Sequence, residues 1–250
     1  MENSGNQKLK VLCLHGHYNT GEVMKHQLAY YEYIFRDYVQ FEYLTAPHKC
    51  EEVFDPKLHE KFGEDFYTWI IHDTETNESK GFNESFISIK EHLDTHGPYD
   101  GILGFSLGGY FTRILLKSNE IGFPVPKNMP KFAVIFSSII YPNSPFAPLR
   151  EEYEGPMMYI YGNKDKVFPN YDGSHINKGE HTIIEHEQGH NIPKFVGEDM
   201  QSFTRFFNSA YEKKFGRPME FDFEVNEQFK QAFNEQQKQK MPSKQIMGKL

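Results

Sequence analysis

Tyr99-Asp-Gly-Ile-Leu-Gly-Phe-Ser106-Leu-Gly-Gly109 decides the reading of this chain: an apolar run enters Gly-x-Ser-x-Gly, and the helix-compatible Tyr110-Phe-Thr-Arg-Ile-Leu-Leu116 leaves it. A serine at such a strand-to-helix turn stands in a strained backbone conformation, its hydroxyl exposed at the carboxyl edge of a sheet, the arrangement called a nucleophile elbow. Glycine two positions to either side, here Gly104 and Gly108, lets the neighbouring segments approach closely. A free serine hydroxyl is a weak nucleophile. The motif therefore carries chemistry only if a histidine base and an orienting carboxylate lie further along the chain.

Both are present. Asp165 follows the apolar run Met157-Met-Tyr-Ile-Tyr-Gly162, so it stands just past a strand end, on the same rim as the elbow. Asp172 competes for the role; Asp100 precedes the elbow strand and is expected at the wrong end of the sheet. The base candidate is His190, on the Gly-containing loop Glu187-Gln-Gly-His190-Asn-Ile-Pro193. His181 and His186 fall in or at the end of a strand and read as packing or surface residues. Serine, then acid, then histidine is the chain order of α/β-hydrolases. His190 would take the Ser106 proton and pass it to the leaving group, while Asp165 fixes the imidazole tautomer.

Charge that develops on a carbonyl oxygen needs preorganised N–H donors, each contributing about 3–4 kcal/mol in comparable sites. The backbone amide of Leu107 is one candidate. The second is the amide of His17, where the strand-like Lys10-Val-Leu-Cys-Leu14 runs into His15-Gly16-His17-Tyr18-Asn19. His15 and His17 lack the carboxylate or cysteine spacing of a metal site, and no metal or cofactor is expected.

Composition narrows the class. The 250 residues are enough for one sizeable α/β domain, and the net charge of −8 argues against nucleic acid, whose phosphates require a basic face. The 2 cysteines, Cys13 and Cys50, indicate no disulfide framework and favour a reducing compartment. The polar start Met1-Glu-Asn-Ser-Gly-Asn-Gln7 lacks the apolar core of a signal peptide, and no run reaches the length of a membrane span. A cytoplasmic protein without integral membrane association is expected. Oligomeric state leaves no sequence signal.

Short apolar runs alternate with helix-like stretches, the pattern of a mostly parallel sheet of about six strands with helices on both faces. Strands are expected at 9–14, 39–44, 101–104, 132–136, 157–161 and 182–185, and helices at 23–35, 84–95, 107–118 and 193–207. Residues 1–215 form the expected catalytic domain. Within it, 47–82 is a long excursion, rich in aromatic and acidic residues, that would form a lid or wall at the site. Phe66 and Trp69 in the excursion, and Tyr18 beside the first strand, are candidates for an apolar pocket, with ordinary packing as the alternative for each. The polar tail, 216–250, suits a marginal helix and a disordered segment equally.

Taken together, Val11-Leu-Cys-Leu-His-Gly16, Trp69, Gly97-Pro-Tyr-Asp-Gly-Ile-Leu-Gly-Phe-Ser106, Lys131-Phe-Ala-Val-Ile-Phe-Ser137, Tyr161-Gly-Asn-Lys-Asp165 and Gly189-His190 with Pro193 resemble the FSH family of serine hydrolases, a branch of the α/β-hydrolases. The resemblance covers roughly residues 8 to 205. It implies a cofactor-free carboxylesterase acting on acyl or alkyl esters, with Ser106, Asp165 and His190 at the family's triad positions. Thioesters and lysophospholipids are neighbouring substrate classes within the same mechanism. Aromatic content of 16% favours an apolar acyl chain. Two positions depart from the family pattern: Leu107 stands where glutamine is common, and His17 where a large aromatic is usual. The alternative from another class is a binding or scaffold protein that keeps the fold without turnover.

Overall fold

The computed structural model describes residues 7–51, 56–63, 65–73, 78–138, 155–168 and 181–220. Asp172 and residues 221–250 of the tail lie outside them. In chain order the elements are β1 (Leu9–Leu14), α1 (Gly21–Ile34), β2 (Val39–Leu44), β3 (His48–Lys49), α2 (Pro56–Phe62), β4 (Tyr67–Thr68), β5 (Ile71–Asp73), β6 (Glu78–Lys80), α3 (Phe82–His96), β7 (Gly101–Phe105), α4 (Leu107–Leu116), β8 (Phe132–Phe136), β9 (Met157–Gly162), β10 (Thr182–His186) and α5 (Gly197–Phe215). Six of the strands form one sheet in the order β10-β9-β8-β7-β1-β2, every pair parallel. Such strands are covered on both faces, which is why they read as near-continuous apolar runs.

Alternation along the strands sends side chains to two cores. Val11, Cys13, Leu103, Val134, Phe136, Met158 and Ile160 pack with Met24, Leu28 and Tyr31 of α1 and with Phe203, Phe207 and Tyr211 of α5. Leu12, Leu14, Ile102, Ala133 and Ile135 pack on the other face with Phe86, Ile89 and Leu93 of α3 and with Phe111, Ile114 and Leu115 of α4. The arrangement is thus the parallel sheet with helices on both faces that the alternating pattern predicts, and it fits the α/β-hydrolase fold that the chain order of Ser106, Asp165 and His190 suggests. Among the described residues no helix is long and apolar enough to cross a membrane.

The strands match the expected ranges to within a residue. The last helix does not: it begins at Gly197 instead of 193 and runs to Phe215 instead of 207. Tyr30 Oη donates to the Phe195 carbonyl at 2.8 Å and Tyr31 Oη to that of Pro193 at 2.6 Å, which holds 193–196 extended across α1. At the other end the apolar stripe Met200-Phe203-Phe207-Tyr211 continues for a further turn at helical spacing. Gly216, at φ 70°, then ends the helix in the left-handed conformation that glycine adopts without strain.

The excursion between β2 and α3 is ordered around small antiparallel pairs, β3 with β4 and β5 with β6. It is stitched to the loop after β1 by reciprocal backbone bonds between Asn19 and Tyr67, both 3.0 Å. Tyr18, in a left-handed conformation at φ 52°, stacks on Phe66 with ring centres 5.2 Å apart and shares a 2.9 Å hydrogen bond with His59 Nε2.

Candidate active site

The elbow sits where β7 gives way to α4. Ser106 has φ 52° and ψ −117°, a conformation sparsely populated by residues with a Cβ and costing about 1–3 kcal/mol. It is held there by its own N–H, which donates to the Phe136 carbonyl of β8 at 2.9 Å, and by its carbonyl, which starts the helix by accepting from Tyr110 N–H at 3.1 Å. The turn closes only because two side chains are missing. A Cβ on Gly104 would stand 2.5 Å from Gly109 Cα, and one on Gly108 would run into the Leu14 carbonyl oxygen.

Asp165 lies just past β9 and His190 just past β10, so both reach the same carboxyl edge of the sheet as Ser106. His190 Nδ1 and Asp165 Oδ2 are 2.7 Å apart. The other carboxylate oxygen, Oδ1, accepts from the backbone N–H groups of Val167 at 2.8 Å and Phe168 at 3.1 Å. Asp165 is 5% exposed, so this carboxylate is desolvated and fixed on both oxygens. The imidazole is flanked by Phe105, the residue before the elbow serine, at 5.0 Å between ring centres, and by Phe168 at 5.3 Å. Ser106 Oγ makes no hydrogen bond to a described residue.

Leu107 is the first residue of α4, and a first-turn N–H has no acceptor within its own helix. Gly16 brings the loop after β1 against the elbow, since a Cβ built on it would lie 3.3 Å from Ser106 Cβ. His17 follows on that loop. Its Nδ1 is 2.8 Å from Thr68 Oγ1, whose single hydrogen goes to the Ile70 carbonyl at 2.9 Å. Thr68 must therefore accept, and His17 carries its hydrogen on Nδ1. Burial against the excursion pushes the His17 pKa down.

The residues expected to separate into chemistry and packing are distributed as follows. Asp100 lies at the start of β7, at the opposite end of the sheet, where its Oδ2 accepts from Lys10 N–H at 2.8 Å and pairs with Lys214 Nζ at 2.6 Å. His186 is buried at the end of β10 and its pKa is lowered by that burial. Trp69 is wholly buried among Phe111 and the α3–α4 core, and Phe66 is buried beneath Tyr18. Trp69 Nε1 donates to the His15 carbonyl at 2.8 Å, so the chain's one tryptophan braces the loop after β1.

In the sequence His15 reads as half of the His-Gly pair that bends the chain after the first strand and as a discounted metal ligand, and neither reading reveals its bridging role. It is fully buried, its Nε2 accepts from Ala46 N–H at 2.9 Å, and its Nδ1 therefore donates to the Gly16 carbonyl at 2.7 Å. The neutral ring thus ties the loops after β1 and β2 together. Burial holds its pKa down at about 4. An unfolded histidine takes up a proton near pH 6.5, so between pH 6.5 and 4 the unfolded chain binds more protons and stability falls as pH falls. From pH 7 to 5 this group alone costs about 2 kcal/mol. Urea unfolding at the two pH values should show that loss, and in a His15→Asn variant the loss should shrink by about the same amount; an unchanged pH dependence would assign it elsewhere.

The family model for serine hydrolase (FSH1) matches residues 1–201. The chain belongs to the FSH1 family of serine hydrolases. It is 28% identical over 219 residues to "Esterase CG5412" of Drosophila melanogaster, covering 83% of this chain and 76% of that protein. It is also 24% identical over 225 residues to "Esterase OVCA2" of Mus musculus, covering 82% and 98%. Among solved structures it resembles Zea mays acyl-protein thioesterase 2, with TM-score 0.53 and 20% identity, over 84% of this chain and 97% of that one. At that identity the structural likeness speaks for the fold, and the FSH1 match speaks for hydrolase chemistry.

Proposed function

We propose that this FSH1-family chain is a serine esterase in which Ser106, Asp165 and His190 form the catalytic triad. The observation that carries the reading is the 2.7 Å contact between His190 Nδ1 and the doubly anchored Asp165, beside a serine held at positive φ. In the proposed reaction Ser106 Oγ attacks the ester carbonyl while His190 Nε2 takes its proton. The tetrahedral oxyanion is met by the backbone N–H groups of Leu107 and His17. Collapse expels the alcohol, which leaves with the proton from His190, and an acyl group stays on Ser106. Water, deprotonated by His190, then attacks the acyl carbonyl, releases the carboxylic acid and restores the serine hydroxyl.

An apolar acyl or alkyl group is favoured by what borders the histidine. Phe105 and Phe168 flank the ring, and Val167, next to Phe168, is 56% exposed. The test is covalent labelling with a fluorophosphonate together with a p-nitrophenyl ester series from acetate to palmitate. Labelling of the wild-type protein, turnover with a chain-length optimum and loss of both in His190→Ala support the esterase. A protein that neither labels nor hydrolyses any of these esters would point to the fold retained as a scaffold.

A further inference from the structure

A cavity of about 200 Å³ opens at the opposite pole of the molecule from Ser106. It lies beneath the amino ends of the strands, lined by Leu9 of β1, Phe132 of β8, Pro156 ahead of β9, and Phe206, Ala210 and Lys213 of α5. The five residues of β7 separate it from the elbow by roughly 16 Å. Leu9 and Phe132 make a buried apolar floor, and Phe206 and Ala210 are partly buried against the same core.

The mouth of this cavity reverses the sign of the protein. Overall the chain carries −8, yet Lys131, Lys213, Lys214 and Asp100 give the lining a formal +2. Asp100 and Lys214 neutralise each other across 2.6 Å, and Asp100 Oδ2 also accepts from Lys10 N–H at 2.8 Å. That leaves Lys131 and Lys213, whose ammonium groups are exposed and have no described hydrogen-bond or ion-pair partner. An apolar floor under two uncommitted cations is complementary to a molecule with an apolar body and one anionic end.

We propose that this cavity binds a small amphiphilic carboxylate, its hydrocarbon body on Leu9, Phe132 and Ala210 and its carboxylate between Lys131 and Lys213. The size sets the body: the volume equals that of about six or seven waters and falls below the ~300 Å³ at which drug-sized sites begin. Carboxylates of about six to eight carbons fit, and long-chain acids overfill it. Carboxylic acids of this class are also what ester hydrolysis releases, but binding here does not depend on the proposed esterase reaction.

The test is calorimetric titration of octanoate into the full-length protein and into Lys131→Glu, Lys213→Glu and Ala210→Phe variants, with octylamine as a cationic molecule of the same body. The expected result is saturable octanoate binding, weakened about tenfold by either charge reversal, as for loss of one charge-assisted hydrogen bond, and removed by the ring of Ala210→Phe. Octylamine should not bind the wild-type protein. Ester turnover, where present, should stay at the wild-type value in all three variants, because none of them touches the Ser106 pole. Octanoate affinity indifferent to both charge reversals, or octylamine binding as well as octanoate, overturns the proposal, and neither outcome bears on whether Ser106 is a nucleophile.

Discussion

Ser106→Ala should lower kcat for p-nitrophenyl esters by roughly a millionfold, the scale of loss when the serine of a comparable triad is removed. Fluorophosphonate labelling should vanish with it. The folded protein should survive the change intact, because alanine keeps the Cβ and the backbone partners of residue 106, the Phe136 carbonyl and Tyr110 N–H, are main-chain groups. Ser106→Gly makes the separation sharper. Glycine adopts φ 52° without the side-chain clash, so this variant should be more stable than wild type by about 1 kcal/mol while equally inactive. Turnover in Ser106→Ala above about a tenth of wild type would place the nucleophile elsewhere.

Asp165→Asn should lower kcat by roughly ten-thousandfold through the tautomer of His190. The direction follows from which oxygen is anchored. Oδ1 accepts from two main-chain N–H groups, at 2.8 and 3.1 Å, so an asparagine must put its carbonyl oxygen there. Its amide nitrogen then falls at the Oδ2 position, 2.7 Å from His190 Nδ1, and donates where the carboxylate accepted. His190 is forced to accept at Nδ1 and to carry its hydrogen on Nε2, where it has no lone pair left for the serine proton. Steady-state kinetics should show the fall in kcat with KM little changed. An ¹⁵N spectrum of the imidazole should show the hydrogen moved from Nδ1 to Nε2. Retained activity with the tautomer switched would remove Asp165 from the mechanism.

Much of this architecture was legible because parallel strands buried on both faces announce themselves as unbroken apolar runs. Val11-Leu-Cys-Leu14 and Phe132-Ala-Val-Ile-Phe136 each stand in the sheet where their composition put them. The elbow was legible for a steric reason, since only glycine fits against the Gly109 backbone and the Leu14 carbonyl. What composition could not convey were contacts made across long sequence separation. Nothing near residue 195 reveals that Tyr30 and Tyr31 hold that carbonyl track extended and delay α5 by four residues. Trp69 carried two readings, pocket and packing, and its indole N–H, which needs an acceptor when buried, was the signal for the bracing role beneath His15. The contact of Asp165 with His190 spans 25 residues of chain that the fold closes to 2.7 Å, a proximity that composition does not convey.

His15 joins two loops through one ring: its lone pair is committed to Ala46 and its hydrogen to Gly16. A second proton would set two donors face to face at Ala46, and the strut between the loops would let go while the sheet behind it still stood. Protonation of this one ring would therefore loosen the edge that carries His17 and Ser106.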